Sequence, residues 1–345
     1  MTAILPNMPK PQPDFNNLLR VLRREHPSRP TLFEFFMNDS IYDLLSQGRT
    51  FPDGDGLGGW RQRIWAFWIA GYDYVTVMAS DFAFPAPKDP HLASISQNRP
   101  GPISDRRSYE AYPWPDPDDF DDSRLDILGR ELPEGMKIIV WGPCGVLENL
   151  TSLLGFEQLC WMQAEDPDLV EEICGQIGSR LLRYYEKALA YPAVGAIIAN
   201  DDWGFQSQTL LSPAAMRRFI FPWHKKIAAA AHAAGRPVIL HSCGNLSEVW
   251  DDIIDDMRFD GKHSYEDKIL PVEAAYEQYG SRIAIMGGFD LDFICRSTPD
   301  QIRARVQAML RQVGSRGGFA VGTGNSVPSY VPAENYLAMI DIHRG

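Results

Sequence analysis

Long hydrophobic runs are missing from this 345-residue chain. No stretch of roughly 18 apolar residues occurs, so an ordinary membrane-spanning helix is not expected. Positive charge is in short supply: 33 Lys and Arg stand against 45 Asp and Glu, for a net charge of −12. General affinity for nucleic acid or an anionic membrane needs a basic face, so neither is expected as a partner. Cysteine is scarce too. The five thiols (Cys144, Cys160, Cys174, Cys243 and Cys295) are odd in number and scattered, which argues against a disulfide framework and fits a reducing cytoplasm. The opening MTAILPNMPKPQPDF is too short and too proline-rich for a secretion signal, so a cytoplasmic location is expected. No internal repeat of about 20–50 residues recurs, which argues against a solenoid or propeller.

What does recur is a pattern rather than a sequence. A short β-branched apolar run is followed by a polar cluster and then by a helical stretch. The runs are TLFEFF (31–36), YVTVM (74–78), KIIVWG (137–142), AIIAND (196–201), PVILHSCG (237–244), the weaker MRFDGKHS (257–264), RIAIMGGFD (282–290) and GFAVGTGN (318–325). Helices are predicted over 167–190, 213–234 and 299–313, each opened by a Pro, and a last one after Pro332. Alternating strands and helices imply a parallel sheet. Eight such units close most economically as an α/β fold of the (β/α)8 (TIM) barrel type, one domain over 1–345. A doubly wound sheet would usually carry a Gly-rich phosphate loop after its first strand, and TLFEFFMNDS has no glycine. Residues 82–136 break the rhythm with many prolines and the acidic run DPDDFDD, as a long loop or lid insertion would. Asp53-Gly-Asp-Gly resembles half a calcium loop but lacks the later ligands, and reads as a turn before a helix over 60–70.

In barrel enzymes reactive side chains gather at the C-terminal ends of the strands. Those ends here offer Glu34 and Asn38, Ser80 and Asp81, Glu148, Asn200 to Trp203, His241, Cys243 and Asn245, His263 and Glu266, Asp290, and Thr323 to Ser326. This one-sided concentration points to an enzyme with a small-molecule substrate. His241 and Cys243, two apart on a strand, face the same way, as zinc ligands should; a buried cysteine beside a hydrogen-bonded histidine has the same spacing. Glu148 or Asp202 could add an oxygen ligand. Of Asp201 and Asp202, one is expected to cap a helix and the other to enter the site. Asp202, Glu266, His263 and Asp81 are the candidate catalytic groups, with His263 and Glu266 as a potential acid–base pair or else a surface salt-bridge cluster. Phe36, Asn38, Trp203 and Asn325 are the candidate substrate contacts. The aromatic content would permit a homodimer.

The blocks LHSCGN (240–245), NDDWGFQSQTLLSPAAMRRFIFPWHKKI (200–227), GVLENLTSLLGFE (145–157) and GTGNSVPSYVPAENYLAMI (322–340) resemble the uroporphyrinogen decarboxylase superfamily in order and spacing, over about residues 15–342. The resemblance implies a (β/α)8 barrel and offers two chemistries. Tetrapyrrole decarboxylases hold propionates with an arginine-rich N-terminal motif, and here no arginine stands between Arg29 and Arg49. Only Asp81 resembles their pyrrole-facing aspartate. The other branch comprises cobalamin-dependent methyltransferases, which bind zinc through His-x-Cys, matched by His241 and Cys243, with Glu148 resembling the oxygen ligand of the O-demethylase type. Their later cysteine is absent, and Thr323 stands at about that place. The resemblance therefore implies a zinc-assisted methyltransferase acting with a separate corrinoid protein, since no D-x-H-x-x-G motif is present. The alternative is a metal-free carboxy-lyase centred on Asp81; a catalytically silent ligand-binding barrel is a third reading.

Overall fold

The computed structural model describes residues 11–86 and 99–341. Seven strands form one parallel sheet in chain order: β1 (Tyr74–Met78), β2 (Lys137–Trp141), β3 (Val194–Asn200), β4 (Val238–His241), β5 (Gly261–His263), β6 (Ala284–Met286) and β7 (Phe319–Ala320). Their apolar runs are continuous rather than alternating because helices or neighbouring strands cover both faces. All of β3 is buried, for example. Each strand pairs with its sequence neighbour, so the sheet curls in one sense.

The first predicted run, 31–36, joins this sheet in an unequal way. Leu32 bridges Val321 in parallel, with Phe33 N donating to Val321 O at 2.7 Å and Val321 N to Thr31 O at 2.8 Å. Toward β1 no ladder forms. There the Tyr74 hydroxyl accepts from Glu34 N and donates to Glu34 O, and Thr76 Oγ1 donates to Phe35 O at 2.6 Å. Side-chain hydroxyls thus take the backbone groups that a strand partner would otherwise satisfy. The expected eight-stranded sheet is therefore observed as seven parallel strands, with the eighth run attached by a single bridge.

The helices follow their start signals. Pro167–Leu189 and Pro299–Val313 begin at prolines capped by Asp166 and Thr298. The helix expected over 213–234 is broken into Pro213–Ala215, a wider π-type turn at Met216–Ile220, and Phe221–Ala233. Pro222 explains the break: it has no N–H to donate and its ring crowds the carbonyl one turn earlier. The Asp53 turn leads into Gly58–Ile69, with Asp53 accepting from Gly58 N at 2.7 Å. Within 82–136 the described part contains the helices Arg106–Ala111 and Arg124–Glu131. It is tied to Pro167–Leu189 by Arg180 and Lys187, which donate to the carbonyls of Pro115 and Pro117. Residues 87–98 of that segment lie outside the described residues.

Helix Pro167–Leu189 packs on Phe221–Ala233 through a glycine. A Cβ at Gly178 would meet the Trp223 ring at 2.1 Å, whereas one at Gly175 would have 3.9 Å of room. Gly178→Ala is expected to cost about 1–3 kcal/mol by overpacking, while Gly175→Ala should be neutral or stabilising by up to about 1 kcal/mol from helix propensity. Urea unfolding of the two variants checks the contrast.

Candidate functional site

The registers of the central strands set Asn200 opposite His241, and His241 opposite His263, so three strands end level. Pairing continues past the strand ends. Asp201 N donates to His241 O, Ser242 N to His263 O, and Gly204 N to Cys243 O. This continuation brings residue 202 beside residue 243. Asp202 Oδ1 accepts from Cys243 N at 2.9 Å. Gly244 has φ +90°, and a Cβ there would lie 2.1 Å from the Gly204 carbonyl oxygen. Only glycine allows this approach of the two loops.

The protons in the cluster can be placed from the acceptors around it. The Thr323 carbonyl can only accept, so His263 carries its proton on Nε2, 3.0 Å away. A neutral His263 then has a bare Nδ1, and the 2.8 Å contact with His241 Nδ1 puts a proton on the latter. His241 Nε2 is left with its lone pair. It faces Cys243 Sγ and Asp202 Oδ1, each at 3.9 Å. Burial first, and then Lys262, pushes His241 down to about 3; burial also holds His263 well below its usual range. Both rings are therefore neutral at ordinary pH. Burial, followed by the Asp202 carboxylate, pushes the Cys243 thiol up to about 12.

Behind the imidazole pair lies Glu34, fully buried. Its Oε1 is 2.7 Å from Thr323 Oγ1, and that hydroxyl also contacts the Asn325 carbonyl. A hydroxyl has one proton and a carbonyl has none, so the Thr323 proton goes to Asn325 and the carboxyl supplies the other bond. Glu34 is thus a neutral acid, in agreement with burial raising it to about 8.

Asp202, His241 and Cys243 each offer one ligand atom, all within 4.8 Å of one another. Metal–ligand bonds of about 2.0–2.3 Å at tetrahedral angles place donors about 3.3–3.6 Å apart; the two 3.9 Å separations from His241 are a few tenths of an ångström longer, and all three atoms lie within 4.8 Å, so small side-chain shifts bring them to that spacing. A cysteine sulfur that releases its proton on binding, a lone-pair imidazole nitrogen and a carboxylate form a donor set that fits zinc with a fourth position open.

Glu148 stands outside this set. Its carboxylate turns back to accept from Gly145 N at 3.0 Å, at the start of helix Val146–Leu154. Burial, together with Asp201 and Asp202, raises its pKa. Asp201 caps the same helix, accepting from Leu147 N and Glu148 N at 2.9 Å, and also bonds His224 Nε2 at 2.8 Å. His263 makes no pair with Glu266, because both its nitrogens are committed elsewhere. Asp81 is 83% exposed and paired with Arg124. Trp203 is wholly buried against Phe221 and His224. Asn38 caps Asp39–Ser46 and donates to Pro328 O. Asn325 Nδ2 donates to Cys243 Sγ at 3.2 Å. Phe36 and Trp141 lie ring to ring with Phe35, whose own ring is 4.6 Å from that of His241. Ser264, whose Oγ is 3.6 Å from Cys243 Sγ, was not singled out in the sequence; its place two residues after Lys262 in a weak run hid it.

An α/β enzyme fold with polar groups gathered at one end of a parallel sheet is the class these features define. Residues 124–345 match the family model described as uroporphyrinogen decarboxylase (URO-D), and the chain belongs to that family. It is 23% identical over 252 residues to a uroporphyrinogen decarboxylase of Alkalilimnicola ehrlichii, covering 70% of this chain and 66% of that protein. It is 27% identical over 184 residues to one from Myxococcus xanthus, covering 52% of this chain and 49% of the relative. The chain thus spans two thirds or less of these relatives' lengths. Its fold matches a methyltransferase from Methanosarcina mazei with a TM-score of 0.69 at 16% identity, covering 94% of this chain and 96% of that one.

The protonated Glu34 has a pH signature. Its folded pKa of about 8 lies above its ordinary 4.5, so the native state binds a proton that the unfolded state has lost. Stability from this group is full below about 4.5 and falls as pH rises toward 8. Glu34→Gln lacks the effect. Its stability relative to the parent should improve by up to about 1.4 kcal/mol per pH unit between about 5 and 7.5. Urea titrations at several pH values measure this; a constant difference would mean that Glu34 is ionised.

Proposed function

We propose that the chain is a zinc-assisted methyltransferase that moves a methyl group between a small methoxy or thiol compound and a separate corrinoid protein. One observation carries this reading: Asp202, His241 and Cys243 converge, and His241 turns its lone pair toward the other two. Asp202, rather than Glu148, supplies the oxygen. When bound there, zinc would act as a Lewis acid on the heteroatom that carries or receives the methyl group. The chain's own residues do the rest. The Thr323 carbonyl and His263 hold His241 in the ligating tautomer. Asn325 Nδ2 and the Asp202-bonded backbone N–H of Cys243 steady the thiol. Phe35, Phe36 and Trp141 wall the approach and exclude water. The likeness to the Methanosarcina mazei methyltransferase concerns the fold alone, and that fold suits this chemistry.

The family name favours a second reading, decarboxylation of a tetrapyrrole. The charge pattern supports it poorly. A polyanionic substrate needs free arginines, but Arg29 is engaged by the buried Asp73, and no arginine follows until Arg49. Asp81 is exposed and already paired.

Purified protein is expected to hold about one zinc per chain by elemental analysis, and His241→Ala should remove most of it. His263→Leu, which deletes the tautomer-setting acceptor, should weaken zinc by about 10–100-fold while leaving the fold intact by circular dichroism. Less than a few tenths of a zinc in the parent, unchanged in His241→Ala, removes the metal from the account. Conversion of uroporphyrinogen III to coproporphyrinogen would favour the decarboxylase instead.

A further inference from the structure

On β5 the side chain next to His263 points to the opposite face of the sheet. It is Lys262, only 3% exposed. Its ammonium donates to the Ser264 carbonyl and lies 4.4 Å from the centre of the Tyr265 ring and 5.8 Å from that of Trp250. Among the described residues no carboxylate oxygen comes within ion-pairing reach of it, and Cys243, Asp202 and Glu266 act on it only from farther off. An ammonium has three protons to donate, and here one has a protein acceptor. A buried charge left in that state is costly unless a counter-ion joins it. Burial holds the group down at about 8, so it is still mostly charged at neutral pH.

Beside this ammonium lies a cavity of about 120 Å³. Leu246, Trp250, Tyr265, Leu270 and Tyr279 line it, and Trp250 and Tyr279 are stacked 4.0 Å apart at 12°, giving a flat, stiff wall. Ser264 borders both this cavity and Cys243. Glu266 stands on the lining as well, so an anion entering must sit on the Lys262 side.

We propose that this cleft binds a small carboxylate with a flat apolar body, its oxygens on the Lys262 ammonium and its body against the Trp250–Tyr279 wall. The lining residues are other than the three candidate metal ligands, and the inference uses no bound metal. Calorimetric titration of the full chain with benzoate, benzamide and inorganic phosphate tests it. Benzoate should bind at least about tenfold tighter than the isosteric neutral benzamide, because only the former pairs with the charge. Phosphate should not displace it. Lys262→Met should erase the preference for benzoate. Should that variant fail to fold, Leu270→Trp fills the cleft from its partly buried wall and should abolish binding of both compounds. Equal affinity for benzoate and benzamide, displacement by equimolar phosphate, or indifference to both substitutions overturns the proposal.

Discussion

The proton shared between His241 and His263 runs from Nδ1 to Nδ1 over 2.8 Å, and the carbonyl of Thr323 fixes its direction. Reverse that direction and His241 would present an N–H, not a lone pair, to Cys243 and Asp202. No carboxylate is needed to hold the imidazole; a backbone carbonyl just past the last strand suffices because both rings are buried and neutral. The neutral Glu34, bonded to the hydroxyl of the same Thr323, adds no charge that would draw a proton onto the pair.

Much of this was legible in the sequence, for physical reasons. The β-branched runs announce the strands, since a sheet covered on both faces needs them. The prolines announce the helices. The i, i+2 spacing of His241 and Cys243 announces a shared side. What the sequence hid depends on register. Whether Glu148 or Asp202 meets the pair is decided by the continued pairing of 201–204 with 241–243, which no local pattern encodes. His263 lies in the weakest run, GKHS, and its level alignment with His241 follows from the offset between β4 and β5. The break at Met216–Ile220 was foreseeable from Pro222, which the smooth apolar periodicity around it obscured.

The chain belongs to a family bearing a decarboxylase name, yet the aspartate that resembles the decarboxylase one is on the surface in an ion pair with Arg124. Function resides in sites built on a fold, and one fold carries many. The strand ends provide the positions; the side chains set there choose the reaction.

The joint between residues 31–36 and β1 has a mechanical consequence. A backbone ladder yields cooperatively, because each rung aligns the next. This joint rests on the hydroxyls of Tyr74 and Thr76, which can let go one at a time. It is the joint of the curled sheet that no backbone rung holds. Glu34 sits at that joint, so water that enters there reaches the carboxyl before it reaches either imidazole.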